Sequence, residues 1–126
     1  MQRTASIKEK GTRKLTDTQF NIFWSEALAS DDCEAFVSDW TLSSIWGDEP
    51  ETDIPGDRAY HLDELWRIAH MSIRDIRHAA GLTQAAFCVR FCIPKRTLEN
   101  WEGGQSKCPD YLRLLLAQAV GAYLRP

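Results

Sequence analysis

Apolar side chains recur along this chain at intervals of three and four residues rather than alternating, a periodicity that predicts helices separated by short breaks. The pattern becomes clear at Thr16. Phe20, Phe23, Trp24, Ala27 and Leu28 fall at helical spacing, with Asp17, Gln19, Asn21 and Glu26 filling most positions between them, which predicts one helix from about Asp17 to Ala29. Ser30-Asp31-Asp32 is a capping cluster. Beyond it Ala35, Phe36, Val37, Trp40, Leu42, Ile45 and Trp46 supply the apolar surface of a second stretch whose period is poor.

GDEPETDIPGD, residues 47 to 57, holds two prolines, two glycines and five acids, the composition of a surface loop. A third helix is predicted from about Arg58, with Leu62, Leu65, Trp66 and Ala69 as its stripe. Ser72 and Asp75 have capping-box spacing, with Asp in place of Glu or Gln, for a fourth over Ile73 to Ala80 that Gly81 ends. Thr83 can cap a fifth, with Ala86, Phe87, Val89 and Phe91 apolar, running to Cys92. Pro94 suits the first turn of a short helix holding Leu98 and Trp101, which Gly103-Gly104 stops. Pro109 starts a last helix with Leu112, Leu115, Leu116, Ala119, Val120 and Tyr123 apolar. No strand, hairpin or internal repeat is evident, so the expected class is all-α.

Charge divides the same chain into three. Residues 1 to 14 hold five bases against Glu9, a balance of +4. Residues 15 to 70 hold thirteen acids against Arg58 and Arg67, a balance of −11. Residues 71 to 126 return to +4, and the whole chain is −3. Such asymmetry concerns partners rather than fold. The expected organisation is a disordered basic tail (1–14), an acidic, aromatic-rich helical extension (15–70) and a basic helical domain (71–126).

With 126 residues, two unrelated large domains are excluded. No apolar run reaches the roughly 18 residues that span a bilayer, and MQRTASIKEKGTRK lacks the apolar stretch of a signal peptide, so no membrane partner and a cytoplasmic location are expected. Cys33, Cys88, Cys92 and Cys108 form no CxxC pair and are read as reduced thiols. Cys88 and Cys92 are four apart and His70 and His78 sit on neighbouring predicted helices, but no four-ligand spacing is present, so no metal is expected. No nucleophile and base motif and no Gly-rich phosphate loop occurs, so neither catalysis nor a cofactor is expected.

Three motifs in order carry a resemblance: GLTQAAF (81–87), RTLENWEGG (96–104) and CPDYLRLLLAQAVG (108–121). Over about residues 72 to 124 the chain resembles the lambda-repressor-like (Cro/CI-type) helix-turn-helix family, whose plan is two short helices joined by a tight turn between flanking helices. The resemblance implies sequence-specific binding of double-stranded DNA by a small bacterial or phage transcriptional regulator, a repressor or autoregulator, acting as a homodimer. Its recognition helix would display Lys95, Arg96, Glu99 and Asn100 while Leu98 and Trp101 face the core.

By resemblance Lys95, Arg96 and Asn100 are the base readers, Gln84 is a phosphate clamp, and Thr97 touches the DNA backbone. Arg77 and Glu102 correspond to a structural ion pair. Cys88 takes the place usually held by Ala. Cys92 stands where the turn normally uses Gly for its positive φ, and Pro94 replaces the usual Ser or Thr cap.

Alternatives stand at four places. Lys95 and Arg96 either contact DNA or belong to an exposed charged helix face. Glu99 either accepts from cytosine N4 or lies on a solvated face. The tail's Lys8, Lys10, Arg13 and Lys14 either follow the duplex or form a solubilising leader. The acids of residues 15–70 are either an ordinary solvated face or the surface of an antitoxin-like or inhibitor module that binds a protein partner, with the helix-turn-helix serving autoregulation. Trp24, Trp40, Trp46 and Trp66 fall on or near the apolar stripes of that block and are read as core or interface, packing on the helix-turn-helix domain or mediating a dimer.

Overall fold

A computed structural model describes residues 15–47 and 56–126, so the basic tail and most of the predicted acidic loop lie outside the described residues. Among those described there are seven α-helices, a single 3-10 turn and no strand. The chain divides into two compact units, the second comprising Ile68–Arg125.

In the first unit, α1 (Asp17–Ala29) begins where the predicted stripe begins. Thr16 Oγ1 accepts from the Gln19 N–H at 3.1 Å, and Gln19 Oε1 accepts from the Thr16 N–H at 2.9 Å, a reciprocal capping box that satisfies two otherwise orphaned donors. The Gln19 amide also donates to the Ile45 carbonyl at 2.8 Å, tying this end to a distant segment. Phe20, Phe23, Trp24 and Ala27 are buried. Asp32 caps α2 (Cys33–Trp40) by accepting from the N–H groups of Glu34 and Ala35.

The poorly periodic stretch then resolves into a break. Helix α2 ends at Trp40, and a 3-10 turn, Ser44–Trp46, brings Trp46 into the core with no exposure. Its indole N–H donates to the Trp40 carbonyl at 2.9 Å, and Phe23 packs on its ring at 4.8 Å. The Arg58 guanidinium lies 5.2 Å from the same ring's centroid. Two residues counted as apolar surface lie outside the core: Ala35, in the first turn of α2, is exposed, and Leu42, beyond the break, is 91% exposed. Leu42 follows the end of α2 at Trp40, in the turn that leads to Ser44–Trp46.

Helix α3 (Asp57–Ala69) buries Leu62, Leu65, Ile68 and Ala69, while Trp66 is half-buried with its indole N–H on the Ser30 carbonyl at 3.2 Å.

The second unit holds α4 (Ile73–Ala79), α5 (Gln84–Phe91), α6 (Lys95–Gly103) and α7 (Asp110–Ala119). Ser72 caps α4 by accepting from the Asp75 N–H at 3.0 Å, and Thr83 caps α5 by accepting from the Ala86 N–H at 3.1 Å. Ile73, Ile76, Phe87, Cys88, Leu98, Leu116, Ala117 and Tyr123 form the core, in which burial of a side chain such as Phe87 is worth roughly 1.5–3 kcal/mol.

Four apolar residues of the predicted stripes turn outward instead: Ala86 and Val89 on α5, Leu115 and Ala119 on α7. Once Phe87 and Cys88 define the buried face of α5, Val89 falls on the next position around the helix and is 80% exposed. On α7 a charge occupies the buried face. Arg113 is 9% exposed, donating to the Met71 carbonyl at 2.6 Å and to Asp110 Oδ1 at 2.7 Å.

Candidate nucleic-acid interface

The turn between α5 and α6 is made by a left-handed residue. Cys92 has φ 57 and ψ 39, making it the one non-glycine with positive φ among the described residues. Its N–H and that of Ile93 both donate to the Cys88 carbonyl, closing the end of α5. A Cβ in this region crowds the following carbonyl at a cost of roughly 1–2 kcal/mol, which the surrounding packing must overcome. Cys88 itself is buried beneath the turn, and burial pushes its thiol up from the ordinary value.

Pro94 then sets the entry to α6. Its φ of −59 suits a helix start, but it offers no capping oxygen, and no side chain satisfies the leading N–H groups. No acid lies in the first turn. The positive end of the helix dipole therefore coincides with two exposed cations, Lys95 and Arg96.

Leu98 is completely buried and fixes which face of α6 is inward. Lys95, Arg96 and Glu99 are consequently exposed, and Thr97, Asn100 and Trp101 are half-buried. Helix α6 stops at Gly104, whose φ of 86 a side chain would strain.

Behind this face lies a charged knot. Arg77 Nε donates to Glu102 Oε2 at 2.7 Å and Nη2 to Oε1 at 3.0 Å, a bidentate grip in which the Glu102 side chain is 2% exposed. Arg77 Nη1 donates to the Leu82 carbonyl at 3.0 Å. Gln84 Nε2 reaches Glu102 Oε1 at 3.1 Å, and Arg74 Nε reaches the same oxygen at 3.3 Å. One carboxylate thus joins α4, α5 and α6. Hydrogen bonding from Arg77, ahead of that from Gln84 and Arg74, holds Glu102 down at about 2, and Arg77 is raised in turn.

The structure thus sorts the residues singled out by sequence. Lys95 and Arg96 share an exposed end of one helix, with Asn100 one turn on and Thr97 at the edge. Arg77 and Glu102 are paired. Gln84 is drawn into that pair by its amide, so its part in the site includes orienting α5 against α6. Two contributors were missed. Arg74 had a legible signal, one helical turn before Arg77 on the same face. Arg113 had none, because the Met71 carbonyl it binds is 42 residues away in sequence.

The first unit offers different chemistry. A cavity of about 650 Å³ between α2 and α3 is lined by Glu34, Val37, Ser38, Ala59, Tyr60 and Asp63, with Cys33 beside them. The Cys33 thiol donates to Asp63 Oδ1 at 3.2 Å, and burial together with that carboxylate pushes it up to about 11. It is a poor nucleophile at neutral pH. Among the described residues no group of three or more His, Cys, Asp or Glu is placed to hold a metal ion, and no helix is long and apolar enough to cross a membrane. All four cysteines are free thiols. Compared with models of known families, with curated proteins and with solved structures, the chain matches none.

Proposed function

We propose that the second unit binds double-stranded DNA in a sequence-specific manner, α6 entering the major groove, and that the protein is a small transcriptional regulator of the lambda-repressor-like kind acting as a dimer. The observation that carries this reading is the exposure of Lys95 and Arg96 at the uncapped, positive end of a helix anchored from behind by Leu98 and Glu102. Donor-rich side chains at that end match guanine O6 and N7, and the half-buried Asn100 one turn on matches adenine. Thr97 and the α6 N–H groups would meet phosphates, and Gln84, whose amide donates to Glu102, would do so only through its remaining N–H.

The net charge of −3 does not oppose this reading, because the second unit's share of the sequence is basic. As a dimer the protein would set two α6 helices about one duplex turn, roughly 34 Å, apart and require a near-palindromic site. Tyr111 and Leu115, exposed one turn apart on α7, are apolar surface available to a second copy. Enrichment of duplexes from a randomised library by the intact chain tests the reading: a recurring near-palindrome supports it, and a pool no different from the input rejects it.

A second reading is favoured by the cavity of the first unit. Its lining sets the exposed Glu34 beside Val37 and Ala59, which suits a basic protein segment. In that case the acidic unit would engage a protein partner, antitoxin-like, while α6 serves autoregulation. Retention of a basic partner by the intact chain that is lost in Glu34→Lys, with DNA binding unchanged, would support this assignment.

A further inference from the structure

One side chain on the outward face of α6 has a charge opposed to its surroundings. Successive helical residues turn by about 100°. With Leu98 and Glu102 inward, Arg96 points outward, and Glu99 and Asn100 stand one turn further on, to either side of it. Lys95 and Arg96 precede Glu99 by four and three residues, the spacings at which helical ion pairs form. Yet among the described residues Glu99 makes no ion pair, and it is exposed. Its carboxylate is available to a partner.

A carboxylate on a helix that meets DNA is repelled by phosphates and by base acceptors. In the major groove guanine offers O6 and N7 and thymine offers O4, all acceptors, and only cytosine N4 and adenine N6 donate. Adenine sets the acceptor N7 beside its donor, whereas cytosine carries no acceptor on that edge. Resting on the DNA-binding reading of α6, we infer that Glu99 is a specificity-determining residue whose carboxylate accepts from the N4 amino group of a cytosine while Arg96 donates to O6 and N7 of a guanine alongside. Three helical residues rise about 4.5 Å, close to the roughly 3.4 Å between base pairs, so the two side chains address the same or adjacent pairs. Glu99 excludes the other bases as much as it selects this one.

The test is to select duplexes with the intact chain, with Glu99→Ala and with Glu99→Gln, and then to measure affinity for each winner and its single-base variants. Because Glu99 is exposed, both variants should keep the helical content of the parent. The intact chain should return a fixed cytosine at one position of each half-site, whose replacement weakens binding about tenfold. Glu99→Ala should flatten that position alone, and Glu99→Gln should shift it toward adenine, which a glutamine pairs bidentately. The inference is overturned if all three chains return the same site, or if Glu99→Ala strengthens binding to every duplex alike, the behaviour of a merely solvated acid. Failure of the intact chain to enrich any duplex would overturn the DNA-binding reading and this inference with it, a result distinct from an unchanged site.

Discussion

Arg77 grips Glu102 through two parallel hydrogen bonds, 2.7 and 3.0 Å long, so that the last turn of α6 is fastened to α4 behind the face that carries Lys95 and Arg96. The pair orients rather than simply stabilises, since a buried ion pair recovers through geometry little more than its desolvation costs. Breaking one partner is another matter, because the other charge is then left without compensation.

The first prediction concerns acid. The ordinary value for Glu102 is 4.5 and its folded value is about 2, so the carboxylate's contribution to stability is fully present above pH 4.5 and is lost as pH falls toward 2. That contribution is on the order of 3 kcal/mol at neutral pH. Urea titrations of the intact chain between pH 6 and pH 2.5 should show the second unit losing stability in this window, and Glu102→Gln should flatten the loss. Equal slopes for the two proteins would deny Glu102 this role.

Cys92 gives a prediction of opposite sign. A glycine there would relieve the left-handed strain of roughly 1–2 kcal/mol while adding roughly 0.5–1 kcal/mol of backbone entropy to the unfolded chain. Cys92→Gly should therefore leave the protein as stable or raise stability by up to about 1.5 kcal/mol, whereas Cys92→Val should lower it, both read from denaturant midpoints. A glycine variant clearly less stable than the parent would contradict the turn geometry.

Arg113 is a second buried charge. Removing it strands the Met71 carbonyl and uncouples Asp110, whose carboxyl the arginine holds below the ordinary range. Arg113→Ala should cost about 3 kcal/mol, and Asp110→Asn clearly less, because Asp110 is more exposed than its partner. Similar midpoints for Arg113→Ala and the parent in guanidinium unfolding would argue against a structural role.

What the sequence made legible follows from range. Helix starts are announced locally, and Thr16, Ser72 and Thr83 each cap the helix that begins after them. The stripe of α1 was regular enough to give its limits. The face of a helix was less secure: Val89 and Leu115 are apolar and lie in helices, yet both point outward. Their neighbours Phe87 and Leu116 fill the space available, and periodicity alone does not say which of two adjacent apolar residues is buried.

The break after Trp40 was hidden for a related reason, since an apolar run keeps its composition when it leaves the helix. Within the candidate site, the resemblance pointed to Arg77, Glu102 and the exposed end of α6. It did not disclose Arg74 or the inward turn of the Gln84 amide, both of which depend on how three helices meet at one carboxylate.

The central claim is that Lys95 and Arg96 make α6 a reader of DNA. The most direct measurement is an affinity titration of the intact chain and of the Lys95→Ala, Arg96→Ala double variant against the best selected duplex at several salt concentrations, with helical content checked in parallel. Binding by the parent should weaken steeply with salt. The double variant, still folded, should bind at least tenfold more weakly and discriminate less between the selected duplex and unrelated DNA. A folded double variant that binds the selected duplex as tightly and as selectively as the parent would contradict the account.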